Sequence, residues 1–398
     1  MIRWSRHTLL QHVAWCELRT ISRSYSVLLV LVGGVFCYGL LYNYMYAPNV
    51  VREVPIAVVD HSCTPLSRQY IRWLDATPQV QVAHRAPDME AARELMRESS
   101  VYGVLYLPHR FATLFYEGRP AVYPLYAITD AFLYYEAIEE ANLLVMEAID
   151  DVYRTRLIGE LPPSGLAAIA TQSPVTVVGT ALYNPLEGYG TYLMPSVLMI
   201  IIFQTLMMLI AMTSNRKSEA SLGSTMLAYS PLGEVEWVLS FVGGKVVAYI
   251  LLYGVFALFL VGGLPLMFAI PHAASWWGLT LLLVPYIVSS SLLGLALSRW
   301  YTDPEAPILL IAFFSIGLIF LSGVSYPLEL MPWYWQVVHY FVPAATAVMA
   351  YVKLSVMGAP FADVLPEFFT LMAQCLFFGI WAMRVYRGKL KRTKDACL

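Results

Sequence analysis

Four stretches of the chain, residues 24–51, 188–215, 246–298 and 306–328, contain no Asp, Glu, Lys or Arg. This constrains the fold more than any other feature. Roughly 20 consecutive apolar residues suffice for a helix to cross the hydrocarbon core of a bilayer, where only helices and closed barrels satisfy their own backbone. The third stretch is too long for one helix, and "GGLPLMFAIPH" (262–272) divides it at Gly262, Gly263, Pro265 and Pro271 into a hairpin of two spans. A weaker candidate, Val364 to Tyr386, tolerates Glu367 near one end and runs into a basic tail. The expectation is an α-helical integral membrane protein with six transmembrane helices, at 25–46, 191–213, 243–262, 276–298, 306–325 and 364–386. Composition agrees: 59% of the 398 residues are hydrophobic and 13% charged, against roughly a quarter charged in a soluble domain.

Charge sets the expected orientation, because short Lys- and Arg-rich segments stay cytoplasmic. Residues 1–24 carry Arg3, Arg6, Arg19 and Arg23 against Glu17, and the end of the chain carries Arg384, Arg387, Lys389, Lys391, Arg392 and Lys394 against Asp395. Both termini are therefore expected in the cytoplasm, which the even number of spans allows. The first apolar run is too long, and too weakly followed by a small-residue cleavage site, to be a removed signal peptide. Within residues 1–24, "LLQHVAWCELRTI" (9–21) can place Leu10, Val13, Leu18 and Ile21 on one face, as in a cytoplasmic interfacial helix. Residues 387–398 form a basic cytoplasmic tail.

Between the first two spans the character changes. From Arg52 to Glu187 there are 10 basic and 17 acidic residues, so residues 47–190 are expected to be a water-soluble domain on the side opposite the termini. Strand-like "VPIAVVD" (54–60), "VQVAH" (80–84), "VYGVLYLP" (101–108), "AVYPLYAI" (121–128) and "VTVVGTALY" (175–183) alternate with helical 66–75, 88–99 and about 131–158. That alternation predicts an α/β extracytoplasmic domain inserted between the first and second spans. Tyr135, Ile138, Val145, Ile149 and Val152 recur at helical spacing, a face for packing on the sheet or on a neighbouring subunit.

Several chemistries find no support. A phosphate-cradling G-x-x-x-x-G-K-[ST] loop is absent; "VGGKVVAY" (242–249) lacks the leading glycine and the hydroxyl, and its Lys245 reads as a snorkelling cation at the interface. The seven histidines show no metal-ligand spacing and the five cysteines no C-x-x-C. In "HSCTPLSR" (61–68), helix capping explains Ser and Thr more cheaply than nucleophilic catalysis. The spans hold no carboxylate in their middle thirds, where ion-coupled carriers usually place one. A pathway lined by Phe203, Gln204, Thr205, Met208, Phe313 and Phe320 would suit an amphipathic or lipid-like solute; the alternative is that these side chains face lipid or neighbouring helices.

The layout and four stretches resemble the membrane subunit of type-2 ABC exporters, especially bacterial ones that work beside a periplasmic adaptor. These are "VPIAVVDHSCTPLSRQYIRWLDATPQVQV" (54–82), "GVLYLPHRF" (103–111), "YNPLEGYGTYLMPSVLMIIIFQTLMM" (183–208), and "FLSGVSYPLELMP" (320–332) with "LPEFFTLMA" (365–373). The resemblance implies a permease in the bacterial inner membrane, two permease halves (identical or paralogous) and separate ATPase subunits that bind the ATP and Mg, with no cofactor in this chain. Drugs, lipids, polysaccharides and peptides are the family's cargoes. It further implies that cytoplasmic loop 214–242 holds the coupling helix that docks on the ATPase, with Arg216, Lys217, Glu219, Gly223 and Pro231 in it, although its spacing departs from the family pattern. A solvated connector is the other reading.

Pro327, Pro332 and Pro343 break "FLSGVSYPLELMPWYWQVVHYFVP" (320–343), which carries one carboxylate, Glu329. Trp333, Tyr334, Trp335 and Tyr340 favour headgroup level, so residues 327–360 are expected to form outer interfacial helices at 332–341 and 344–357. In the family this element lids the path, making Glu329, Tyr326 and Trp333 gate candidates; a partly hydrated carboxylate at a turn is the competing reading of Glu329. Two other functions remain: a membrane sensor or assembly protein with a ligand-binding periplasmic domain, and a secondary transporter. Lipid is an expected partner; nucleic acid is not.

Overall fold

The computed structural model describes residues 6–46, 50–117, 123–127, 132–160, 188–214, 233–268, 270, 272–300 and 305–397. The chain divides into two units, Met1–Asn49 with Ala181–Leu398, and Val50–Thr180.

The smaller unit is built on a four-stranded sheet of order β2-β1-β3-β4, with β1 (Val54–Asp60) parallel to β2 (Val80–Arg85) and β3 (Gly103–Leu107), and β4 (Leu125–Ala127) antiparallel to β3. Val54, Ile56 and Val58 face one side and Ala57 and Val59 the other, all buried, as expected of a sheet covered on both faces. Helix α3 (Pro65–Asp75), the short α5 (Phe111–Tyr116) and the long α6 (Phe132–Glu160) cover the first face; α4 (Met89–Arg97) covers the second. Along α6 the buried stripe is Ala137, Ile138, Ala141, Val145 and Ile149, while Tyr135 and Val152, expected on it, are exposed. The expected strand 175–183 lies outside the described residues.

The turn after β1 is held from within. Asp60 Oδ1 accepts from the amides of Ser62 and Cys63, each at 3.0 Å, and Oδ2 accepts from the Ser67 hydroxyl at 2.7 Å. Thr64 Oγ1 accepts from the Ser67 amide, Ser67 Oγ accepts from the Thr64 amide, and Pro65 opens the helix, so the Ser and Thr of this segment are caps. Between α3, which carries it, and α6, burial lifts the Tyr70 hydroxyl far above its ordinary pKa, so it stays protonated and donates to Asn142. Replacing Thr64 with Ala is expected to cost about 1 kcal/mol and to accelerate amide exchange selectively over Pro65–Asp75 in the full chain.

The larger unit is helical. Among the described residues five helices are long and apolar enough to cross a membrane: α2 (Tyr25–Met45), α7 (Tyr189–Thr213), α8 (Glu234–Met267), α9 (Trp276–Leu297) and α13 (Leu365–Cys397), whose candidate span is Phe361–Lys391. A sixth apolar helix, α10 (Glu305–Leu321), is shorter, because the span expected to run to 325 ends where the backbone turns through Gly323 at φ 85°. Helix α7 is the hub, packed against α2, α8, α9 and α10, and nearly every residue from Met194 to Ala211 is buried.

Three boundaries differ from expectation, and at the apolar one the cost of leaving backbone groups unsatisfied explains the difference. Helix α8 does not stop at Gly262; it passes Phe259–Gly263 as a π-turn and continues to Met267. A π-turn disturbs the carbonyl ladder, and Tyr351 donates to the Val261 carbonyl there at 2.7 Å. At its other end α8 begins at Glu234, so residues 234–242, expected in the coupling loop, are helical. Helix α13 (Leu365–Cys397) likewise continues unbroken through the basic tail.

Candidate functional site

Helix α1 (Arg6–Arg23) does not merely lie at an interface; it packs along α8. Its buried stripe is Leu9, Val13, Ala14, Glu17 and Ile21, with Leu10 and Leu18 half-buried. The helices approach closely because Gly244 has no side chain: a Cβ there would lie 2.7 Å from the Leu10 carbonyl oxygen and 2.8 Å from Val13 Cβ. Lys245 is therefore covered rather than snorkelling. It is 1% exposed, and its Nζ lies 3.1 Å from Glu17 Oε2. Tyr249, one turn along α8, donates to Glu17 Oε1 at 2.6 Å and meets Thr213 Oγ1 of α7 at 3.3 Å. A polar chain thus ties α1, α8 and the end of α7 together. Sequence reading missed it, although an acid at position 17 inside the i, i+4 stripe Leu9–Val13–Ile21 is its visible sign.

At the other end of the bundle the two helices expected at the interface have different fates. Helix α11 (Trp333–Phe341) is exposed along Trp333, Tyr334, Trp335 and Val337. Helix α12 (Pro343–Ser355) is bent 87° from it and sinks into the bundle, with Ala344, Ala345, Ala347, Val348, Ala350 and Tyr351 buried. Of the two helices expected at the interface, only the aromatic first one keeps an exposed apolar face. The second is rich in Ala, so its backbone comes close to α7, α9 and α13.

Helix ends inside the bundle need partners for their last carbonyls. His339 Nδ1 lies 2.7 Å from the Leu321 carbonyl at the end of α10, which can only accept, so the ring proton sits on Nδ1. Gln374 Nε2 donates to the Tyr340 carbonyl at 2.8 Å, and Lys353 Nζ pairs with Glu367 at 2.5 Å, joining α12 to α13. Glu367, read from the sequence as a tolerated charge near a span end, is thus ion-paired.

The candidate pathway residues do not share one lining within a single copy. Phe203, Thr205 and Met208 are buried in α7, Gln204 is half-buried, and Phe313 and Phe320 on α10 are 76% and 59% exposed. Thr205 donates to the Ile201 carbonyl at 2.7 Å and packs its methyl where Gly34 of α2 leaves room. The gate candidates Tyr326, Glu329 and Trp333 are all exposed, Glu329 on a single 3-10 turn, Leu328–Leu330. Tyr192 at the start of α7 donates to the Val324 carbonyl, fixing the turn that leads to Tyr326. Arg216, Lys217, Glu219, Gly223 and Pro231 lie outside the described residues.

The arrangement offers mechanical linkage at one end, a broken helix pair at the other, and apolar helix surface between. Among the described residues no three or more His, Cys, Asp or Glu side chains are grouped to hold a metal ion. The profile of the family described as ABC-2 family transporter protein matches residues 25–384, from the first span to the last. No curated protein and no solved structure matches the chain. With nine-tenths of the sequence inside that match and its apolar helices bundled as a multi-pass membrane protein, the chain belongs to the ABC-2 family of transporter proteins and is a membrane component of a transporter.

Proposed function

We propose that the chain is the permease subunit of an ATP-binding cassette exporter that moves an amphipathic or hydrophobic solute (a drug, a lipid or similar). Both termini lie in the cytoplasm of a bacterial inner membrane, and the α/β unit is periplasmic, where it meets an adaptor. A separate ATPase binds ATP and Mg and drives the cycle. The observation that carries the coupling is the position of the Glu17–Lys245 pair. Helix α8 starts directly after residues 214–232, so a push applied there by an ATPase moves α8, α1 and, through Tyr249 and Thr213, α7 as one body. The path forms between this chain and a second copy or a paralogue. That arrangement gives the exposed Phe313 and Phe320 a surface to face, with Tyr326, Glu329 and Trp333 at the outer gate.

The test is affinity purification of the tagged chain from its native membrane, followed by an ATPase assay. A stoichiometric ATPase is expected, and charge reversal at Arg216 and Lys217 should release it. Recovery of the intact chain with no ATPase, under conditions that preserve membrane complexes, would remove the proposal.

One observation favours a second reading: His339 is buried in the bundle and Glu367 is partly buried at the start of α13, titratable groups of the kind a proton-coupled carrier uses. Glu367→Gln decides between them. In the exporter the variant loses its ion pair with Lys353 but keeps ATP-dependent transport; in a proton-coupled carrier it abolishes transport.

A further inference from the structure

Under the bend between α11 and α12 the surface of the bundle opens into a cavity of about 480 Å³ lined by Phe341, Phe377, Ile380, Trp381 and Arg384. Four of the five are apolar. Phe377, Ile380 and Phe341 are 54%, 47% and 46% exposed, so they await a covering partner. The fifth is a cation at one end. Arg384 makes no ion pair among the described residues and is exposed. From Phe377 to Arg384 the helix rises about 10 Å, about two-thirds of the acyl region of one leaflet, which is half of a core roughly 30 Å thick.

The depth of the charged end can be read independently. Between Glu367 and Arg384 α13 carries no charge, and that interval rises about 25 Å, so Arg384 falls near the far edge of the hydrocarbon. Trp300, at the end of α9, is 61% exposed and meets the Trp381 ring at 5.9 Å, a pair suited to headgroup level. Arg299 precedes Trp300 and is exposed. An apolar slot thus opens toward lipid and ends in guanidinium chemistry at the boundary, where phosphate is the natural bidentate partner.

We propose that this groove is a binding site for one anionic phospholipid, its acyl chain along Phe341, Phe377, Ile380 and Trp381 and its phosphate on Arg384. The site is distinct from the proposed path and gate. It rests on the membrane-spanning reading of α13 but not on the identity of the cargo or of any ATPase. A bound lipid wedged beneath Phe341 would brace the α11–α12 bend.

The experiment uses the full chain purified in mild detergent, exchanged into mixed micelles containing phosphatidylglycerol or phosphatidylcholine, with bound lipid counted by native mass spectrometry. One cation at the headgroup level is worth about fivefold in affinity, so phosphatidylglycerol should be retained about fivefold over phosphatidylcholine. Arg384→Gln should bring the ratio near one, Arg384→Lys should keep most of it, and Ile380→Trp, which fills the slot, should lower retention of both lipids. Inorganic phosphate should not displace the lipid. Equal retention of the two lipids by the unmodified chain, or an unchanged preference in Arg384→Gln, would overturn the proposal. So would efficient Phe377→Cys disulfide dimerisation that excludes lipid, which would assign the groove to a second copy. Each of these failures leaves ATPase co-purification, and hence the exporter reading, untouched.

Discussion

Lys245→Ala is expected to destabilise the helical unit by about 3–5 kcal/mol, because it leaves the Glu17 carboxylate buried without its cation. Glu17 is 3% and Lys245 1% exposed, so neither charge can turn to water without moving α1 off α8. Glu17→Ala should cost a similar amount by stranding the ammonium. The double replacement Glu17→Leu with Lys245→Met should cost much less than either single change, since an apolar pair of similar volume removes the desolvation penalty as well as the attraction. Tyr249 would keep Thr213 as a neighbour at 3.3 Å. Denaturant titration in mixed micelles reads the energies, and maleimide labelling of the half-buried Cys16 on α1 reads whether the helix has lifted. Single variants within about 0.5 kcal/mol of the parent, with Cys16 equally protected, would show that the pair does not hold α1 in place.

The second large effect is expected at Gly244. A Cβ there meets the backbone oxygen of Leu10 at 2.7 Å and Val13 Cβ at 2.8 Å, and neither atom can be moved by a change of rotamer. Gly244→Ala should therefore cost about 1–3 kcal/mol by overpacking, with Cys16 labelling rising in parallel. Its neighbour provides the control. A Cβ on Gly243 would only touch Leu10 Cδ1 at 3.5 Å, an ordinary contact, so Gly243→Ala should be neutral, or stabilising through helix propensity by up to about 1 kcal/mol. Because Gly244→Ala and Glu17→Ala act on the same docking, their combined cost should fall short of the sum. Equal behaviour of the two alanine variants would mean that α1 does not pack on α8 as described.

These two predictions concern contacts that no local pattern displays. Some helix starts in the α/β unit announced themselves in the sequence: Thr64-Pro65 with Ser67 is a cap that acts over four residues. The apolar spans were equally visible, because lipid exposure demands long charge-free runs. The path candidates were not resolved in this way. Phe203 and Phe313 have the same composition signal, yet one is 7% and the other 76% exposed, because in an all-apolar helix the buried and lipid-facing sides look alike. The aromatic run after α10 was legible as an exposed helix, and α11 is exposed along Trp333, Tyr334 and Trp335, but the burial of α12 depends on which helices accept its Ala-rich face.

What the sequence determined by itself is the class of the protein: the charge-free runs, the charged α/β insertion between the first two of them, and a family match from residue 25 to residue 384. These are properties of short windows, in which hydropathy, capping and strand alternation act on neighbours a few residues apart. Tertiary structure alone decided that Lys245 is buried against Glu17, 228 positions away, that Gly244 marks a helix crossing, that Tyr351 repairs the π-turn at Val261, and that Arg384 closes an apolar groove. Their energies come from groups distant in the chain removing each other from water or lipid. Until the helices are packed no residue carries a mark of its partner, and so the sequence could name the membrane protein but not the contacts that hold and move it.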